Sequence, residues 1–211
     1  MFTQVIVMYG GKSPEHEVSL KSAMTVINAI DRTYFQVIGI YITREGAWHN
    51  LGVISEPIAN VEQLMGQSAD GNVPSSIGSV LSEIFGTAEK KVVFPVMHGP
   101  NGEDGTLQGV LELLNVPYVG NGVLASAAGM DKEMTKRVMK EAGIPQAPYV
   151  TFTSYEWERQ PALCCEATEQ QVGYPCYVKP ANMGSSIGIR RCGSRTEWEE
   201  AVEQAFRYDH K

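Results

Sequence analysis

No apolar run in this 211-residue chain approaches the roughly 20 residues that a membrane-crossing helix requires. The longest, such as Val92–Met97, are strand-sized, so no membrane partner is expected. The opening Met-Phe-Thr-Gln has no basic region ahead of an apolar one, and no secretory signal is expected from it. Cysteine is scarce. The four present, at 164, 165, 176 and 192, show neither C-x-x-C spacing nor a nearby histidine. That argues against a metal-ligand pattern and for reduced thiols in the cytoplasm, with Cys164 and Cys165 as two small apolar residues. A surplus of positive charge is lacking too: the formal net charge is -7. Proteins that grip phosphate backbones usually present a basic face, so no nucleic-acid partner is expected. Internal repeats and low-complexity tracts are absent as well.

What remains is an ordinary folded composition, 43% hydrophobic and 19% charged, long enough for two modest domains. Strand-like runs at Val5–Met8, Val37–Ile42 and Val92–Val96 alternate with helical patterns. Leu20, Met24, Ile27 and Ile30 share one helical face, as do Leu107, Val110, Leu111 and Leu114, with Asp104 expected as N-cap. Such interleaving predicts a parallel sheet covered on both faces, a Rossmann-like α/β domain over residues 1–120. Between Asn50 and Lys91 the pattern weakens and reads as an elaboration of that domain. A second, α+β domain is expected over residues 121–211. It would contain a helix over Lys132–Ala142 ended by Gly143 and Pro145, and a strand at Tyr149–Thr153. Two strands, Cys176–Lys179 and Ile187–Arg191, would be joined by a glycine-rich turn. A last helix carries Trp198, Ala201, Val202, Ala205 and Phe206 in one stripe, with Ser194 and Glu197 as a capping box.

Several loops carry chemistry. Lys179 sits where a strand ends, at the mouth of a loop holding Gly184, Ser185, Ser186 and Gly188. Glycines let backbone N–H groups approach a phosphate, hydroxyls add donors, and the lysine adds charge. An ordinary Gly/Ser hairpin with an incidental lysine has the same spacing. Gly11-Lys12-Ser13 imitates the tail of a Walker A loop, but the glycine required five places earlier is Ile6, which rejects it. Gly120-Asn121-Gly122-Val123-Leu124-Ala125 has the form of a dinucleotide fingerprint, but the nearest suitable acid, Glu141, falls in a helical stretch. In the first turn, Ser13 as N-cap and Pro14 at N1 would place Glu15 in the first turn of a helix, as a capping acid or as a carboxylate for a substrate ammonium. His98 opens onto the same sheet edge and could hydrogen-bond a substrate, whereas Glu103 and Asp104 read as structural. His49 and His210 have no context, and His16 is expected at the surface.

Taken in order, four segments resemble the D-alanine–D-alanine ligase family of ATP-grasp enzymes. They are Gly10-Gly11 with Ser13, Glu15, Val18 and Ser19; His98-Gly99 with Gly102 to Gly109; Met130-Asp131-Lys132; and Val178-Lys179-Pro180 with Gly184-Ser185-Ser186. The resemblance implies a pre-ATP-grasp domain followed by the first half of an ATP-grasp module. ATP would phosphorylate one D-alanine, and the amine of a second would displace the phosphate, supplying D-alanyl-D-alanine for peptidoglycan. It implies Glu15 and Ser185 as catalytic residues, with Glu15, Val18 and His98 on the substrate. Lys132, Lys179, Gly184, Ser185 and Ser186 would meet ATP. Mg2+ (or Mn2+), a homodimer and a cytoplasmic location are implied as well. Family members continue beyond the position of Lys211, where the adenine hinge, the metal ligands and a transition-state arginine would lie. The chain alone is accordingly expected to be inactive. D-lactate or D-serine as second substrate, a non-catalytic D-amino-acid-binding module, and a dinucleotide oxidoreductase built on Gly120–Ala125 stand as alternatives.

Overall fold

The computed structural model describes residues 3–66 and 72–211. The chain forms two compact units, Met1–Ala127 and Ala128–Lys211. The division falls inside a helix, Val123–Met130.

The first unit is built on β1 (Thr3–Gly10), β2 (Phe35–Ile42), β3 (Trp48–Val53) and β4 (Lys91–Pro95), in the order β3-β2-β1-β4. β1 runs parallel to both β2 and β4, as the interleaved pattern predicted. β3 is an antiparallel edge strand that the pattern did not announce. Its residues are half-buried or exposed, and it lacks the continuous apolar run that marks a central strand. β1 has that run, and its side chains divide by parity. Val5, Val7 and Tyr9 pack with Leu20, Ala23 and Ile27 of α1 (His16–Ala29). Ile6 and Met8 pack with Leu107 and Leu111 of α2 (Thr106–Leu113) on the opposite face. The period of two along a strand therefore assigns one helix to each side of the sheet. Both helices begin in loops that leave the carboxyl ends of β1 and β4.

The second unit gathers α4 (Lys132–Glu141), α5 (Ser154–Arg159), α6 (Pro161–Gln171) and α7 (Arg195–Ala205) with a two-stranded sheet, following α3 (Val123–Met130) at the division. That sheet pairs β5 (Cys176–Val178) antiparallel to β6 (Arg190–Cys192). All four cysteines are buried and unbridged, packed with Trp198, Ala201 and Val202, in keeping with a small-apolar role. Phe152 and Trp157 flank them, with the Trp157 and Trp198 rings edge-on at 5.5 Å. Tyr149–Thr153, expected as a strand, forms no ladder with any of the described residues and instead lines the wall of a cavity. The Ser194 hydroxyl caps α7 by accepting from Glu197 N–H. The returning Glu197 carboxylate takes the Gly193 N–H instead of closing a box on Ser194.

Candidate functional site

In the first unit, β1 and β4 end side by side, and serines tie their loops together. Ser19 Oγ accepts from Gly10 N–H at 2.8 Å and donates to the Val96 carbonyl at 2.7 Å. Ser13 Oγ donates to the His98 carbonyl at 2.7 Å and accepts from Glu15 N–H at 3.2 Å. Ser13 thus does not cap α1. The helix begins at His16, Glu15 occupies the N-cap position, and the Ser13 hydroxyl is committed to the neighbouring loop. The consequence is chemical. Glu15 is 5% exposed, and its Oε2 lies over the bare Cα of Gly99, where a side chain would collide with it. His98 comes to the same place, half-buried, with Nε2 3.1 Å from Ser22 Oγ. Val18 stands on the first turns of α1, 48% exposed.

The two acids after His98 are structural. Glu103 Oε2 accepts from Gly99 N–H at 2.6 Å. Asp104 accepts from Asn101 N–H at 2.8 Å and Thr106 N–H at 3.0 Å. Asp104 does so from one residue outside the helix, whose N-cap is the left-handed Gly105, so the expected cap is displaced by one position. His16 is the clearest correction. It is buried, with Nδ1 on the Gly11 carbonyl at 2.7 Å, because the left-handed Gly10 and Gly11 turn the chain over it. Sequence reasoning also missed Ser22, whose only signal is its place three residues after Ser19 on α1, one turn along the same face.

In the second unit, Asp131 caps α4 by accepting from Met134 N–H, which sets Lys132 at the start of the helix. Lys132 N–H donates to the Ala181 carbonyl, and its ammonium donates to the carbonyls of Ala181 and Met183. Burial first, and then the nearby charge of Lys179, hold the Lys132 ammonium below its ordinary pKa. Two cations therefore share one neighbourhood. Lys179 follows β5 directly and is exposed. Beyond it, Ser185, Ser186 and Gly188 are all left-handed, with φ of 42°, 61° and 70°. Ile187 N–H closes on Gly184 O and Ile189 N–H on Ser186 O. Consecutive serines in this conformation are uncommon, and such turns gather N–H groups into concavities that suit anions. A cavity of about 720 Å³ lies alongside, lined by Lys132, Lys179, Met139, Tyr149, Phe152 and Val178 among others. It offers apolar walls with cations at one side. Among the described residues, no group of three or more His, Cys, Asp and Glu could hold a metal ion, and no helix is long and apolar enough to cross a membrane. Lys132, Lys179, Gly184, Ser185 and Ser186 thus fall in one unit, Glu15, Val18 and His98 in the other.

Comparison with known proteins gives the family and the fold. Residues 4–121 match the family described as "D-ala D-ala ligase N-terminus", and residues 138–211 match "D-ala D-ala ligase C-terminus". The D-alanine–D-alanine ligase of Geobacillus kaustophilus is 51% identical over 216 aligned positions, covering 100% of this chain and 59% of its own. That of Bacillus velezensis is 50% identical over 210, covering 97% and 59%. Among solved structures, the VanG D-Ala:D-Ser ligase from Enterococcus faecalis superposes with a TM-score of 0.76 at 32% identity, covering 100% of this chain and 61% of its own. The D-alanine–D-alanine ligase from Coxiella burnetii gives 0.75 at 30% identity, with 99% and 61% covered. The chain spans about three fifths of the length of the curated relatives it matches. From its two family matches and its fold, this chain belongs to the D-alanine–D-alanine ligase family.

Proposed function

We propose that this chain supplies the substrate-holding unit and the first phosphate-binding element of an ATP-dependent ligase. That ligase joins two D-alanines for peptidoglycan synthesis, and it acts in the cytoplasm as a homodimer. One observation carries this: a single family chain pairs a buried carboxylate beside a histidine in one unit with two lysines beside a left-handed serine–glycine loop in the other. Glu15 would hold the ammonium of the first D-alanine, with His98 and Val18 against the same substrate. Lys132 and Lys179 would meet the phosphates of ATP, and Gly184, Ser185 and Ser186 would cover them. Ser185 would act in catalysis through that closure. Such a reaction needs little covalent chemistry from the protein, since fixed charges around the transferring phosphoryl group do most of the work. The phosphate turns a poor electrophile, a carboxylate, into an acyl phosphate that the second amine attacks. Mg2+ (or Mn2+) belongs to this reading through the family, but the described residues offer it no cluster of ligands, and no step here passes through it.

The test is phosphate release from ATP by the full-length polypeptide with Mg2+ present, with and without D-alanine. Stimulation by D-alanine is expected, and its absence would remove the reading. D-serine or D-lactate in place of the second D-alanine identifies the acceptor. D-alanine binding through Glu15 without turnover would instead favour a non-catalytic D-amino-acid-binding module.

A further inference from the structure

His16 is 1% exposed, yet it has no part in the substrate contacts assigned above. Its ring lies beneath the turn that joins β1 to α1. Nδ1 is 2.7 Å from the Gly11 carbonyl, and a carbonyl can only accept. In the neutral ring the proton is therefore on Nδ1, and Nε2 is left as an acceptor. Tyr41, on β2, brings its hydroxyl to 3.3 Å from Nε2 and sets its ring edge-on to the imidazole at 5.7 Å. Burial pushes the Tyr41 pKa up, so the hydroxyl keeps the proton it donates. Gly10, at φ 89°, makes the arrangement possible: a Cβ there would strike the Ile42 carbonyl and crowd His16 Cε1 at 3.2 Å. A leucine would satisfy apolar packing at such a position. The imidazole adds a donor aimed at the Gly11 carbonyl, within the turn that the His16 N–H also closes on the Ser13 carbonyl at 3.2 Å.

We propose that His16 is a positioning residue for Glu15. By gripping the Gly11 carbonyl from the first residue of α1, it closes the turn over Lys12–Glu15. The Ser13 hydroxyl holds the same turn against the His98 carbonyl from the other side. Between these two ties the Glu15 backbone has little freedom, and its carboxylate stays over Gly99. The inference deepens the proposed substrate site and rests on Glu15 as the holder of the D-alanine ammonium.

The test uses the 211-residue chain. Side-chain 15N spectra should show His16 with Nδ1 protonated and Nε2 bare, and the opposite tautomer would overturn the proposal. H16N places an amide donor where Nδ1 lies, whereas H16Q places one where Nε2 lies. With 13C-labelled glutamate and E15Q to assign it, the Glu15 carboxyl resonance should stay near its wild-type position in H16N and move in H16Q and H16L. D-alanine titrations should give H16N a dissociation constant within about threefold of wild type, and H16Q one weaker by about tenfold or more. If H16L does not fold, H16Q and Y41F carry the comparison. Thermal destabilisation in H16Q with an unmoved Glu15 resonance and unchanged D-alanine affinity would make His16 a core residue only, and the proposal would fall. A wild-type resonance blind to D-alanine would instead remove the substrate reading of Glu15. The resonances of H16N and H16Q would still decide whether His16 places that carboxylate.

Discussion

A side chain at position 99 would collide with the Glu15 carboxylate, and the backbone there lies at φ 72°, where glycine alone is unstrained. Gly99→Ala should therefore act twice. Backbone strain should lower stability by about 1 kcal/mol or more. Displacing the carboxylate should weaken D-alanine binding, on the proposed reading, by about tenfold or more. Gly109→Ala is the control: it lies within α2 with open space around it, and should be neutral or slightly stabilising. Thermal melts and D-alanine titrations of both variants check this, and equal behaviour would mean the carboxylate does not need that space. At this scale the sequence was partly legible. Glu15 and His98 stood out as polar residues directly after strands, where ligands of α/β sheets gather. His16 did not, because its burial depends on two left-handed glycines folding the chain over it, and the polar string around it imitates a surface turn. Ser13 is legible as a residue with a task, but its partner is not. The helix starts two residues later than a Ser-Pro cap would dictate, and the hydroxyl goes to a loop 85 residues away.

Elements with a strong period were readable, and those defined by a partner were not. β1, β2 and β4 appear within a few residues of their apolar runs, since buried central strands announce themselves by continuity. Tyr149–Thr153 is likewise rich in β-branched and aromatic residues but pairs with none of the described residues, and composition cannot supply a partner. The start of α4 combines both kinds of information. Asp131 caps it from the residue just before the helical pattern, and Lys211, 80 residues on, joins the cap by reaching Asp131 and also Glu133 at 3.0 Å. At Asp131, burial raises the carboxyl pKa, but the Lys211 and Met134 hydrogen bonds outweigh it and the net shift is downward. At Glu133 the Lys211 hydrogen bond leads, and the shift is again downward. A carboxyl held below its unfolded value stabilises the fold above that value, near pH 4, and the contribution is lost as pH falls through the lower folded pKa. Lys211→Met should thus lower the thermal midpoint at pH 7. The gap from wild type should narrow as pH drops below about 4 and close once both carboxyls are protonated in the folded state. A gap that persisted undiminished into acid would show that Lys211 stabilises by packing its stem, not by charge.

Over the whole molecule, the charge of -7 is unevenly shared. Residues 1–127 hold 12 of the 24 acidic side chains but only 6 of the 17 basic ones. The second unit is therefore close to neutral, and it is the one with the paired lysines and the left-handed loop. Net charge alone would predict that the chain repels a nucleotide. Local charge predicts the reverse, because ions within a Debye length of about 10 Å at 0.1 M salt outweigh those screened beyond it. The two views differ in sign. If the total charge governs, added salt should strengthen binding of an ATP analogue by screening repulsion. If Lys132 and Lys179 govern, added salt should weaken it. On the proposed reading, weakening is expected between about 0.05 and 0.5 M salt, read by titration calorimetry with a non-hydrolysable analogue in metal-free buffer. Lys179→Met should lower affinity about tenfold at low salt, the scale of one charge-assisted contact, and should flatten the salt dependence. Lys132 is the harder test, since its ammonium also holds the carbonyls of Ala181 and Met183 and its loss would loosen the loop itself. The exposed Lys179, which holds no such carbonyls among the described residues, isolates the electrostatic part. An affinity that rose with salt, or that ignored Lys179→Met, would place the nucleotide somewhere other than this loop.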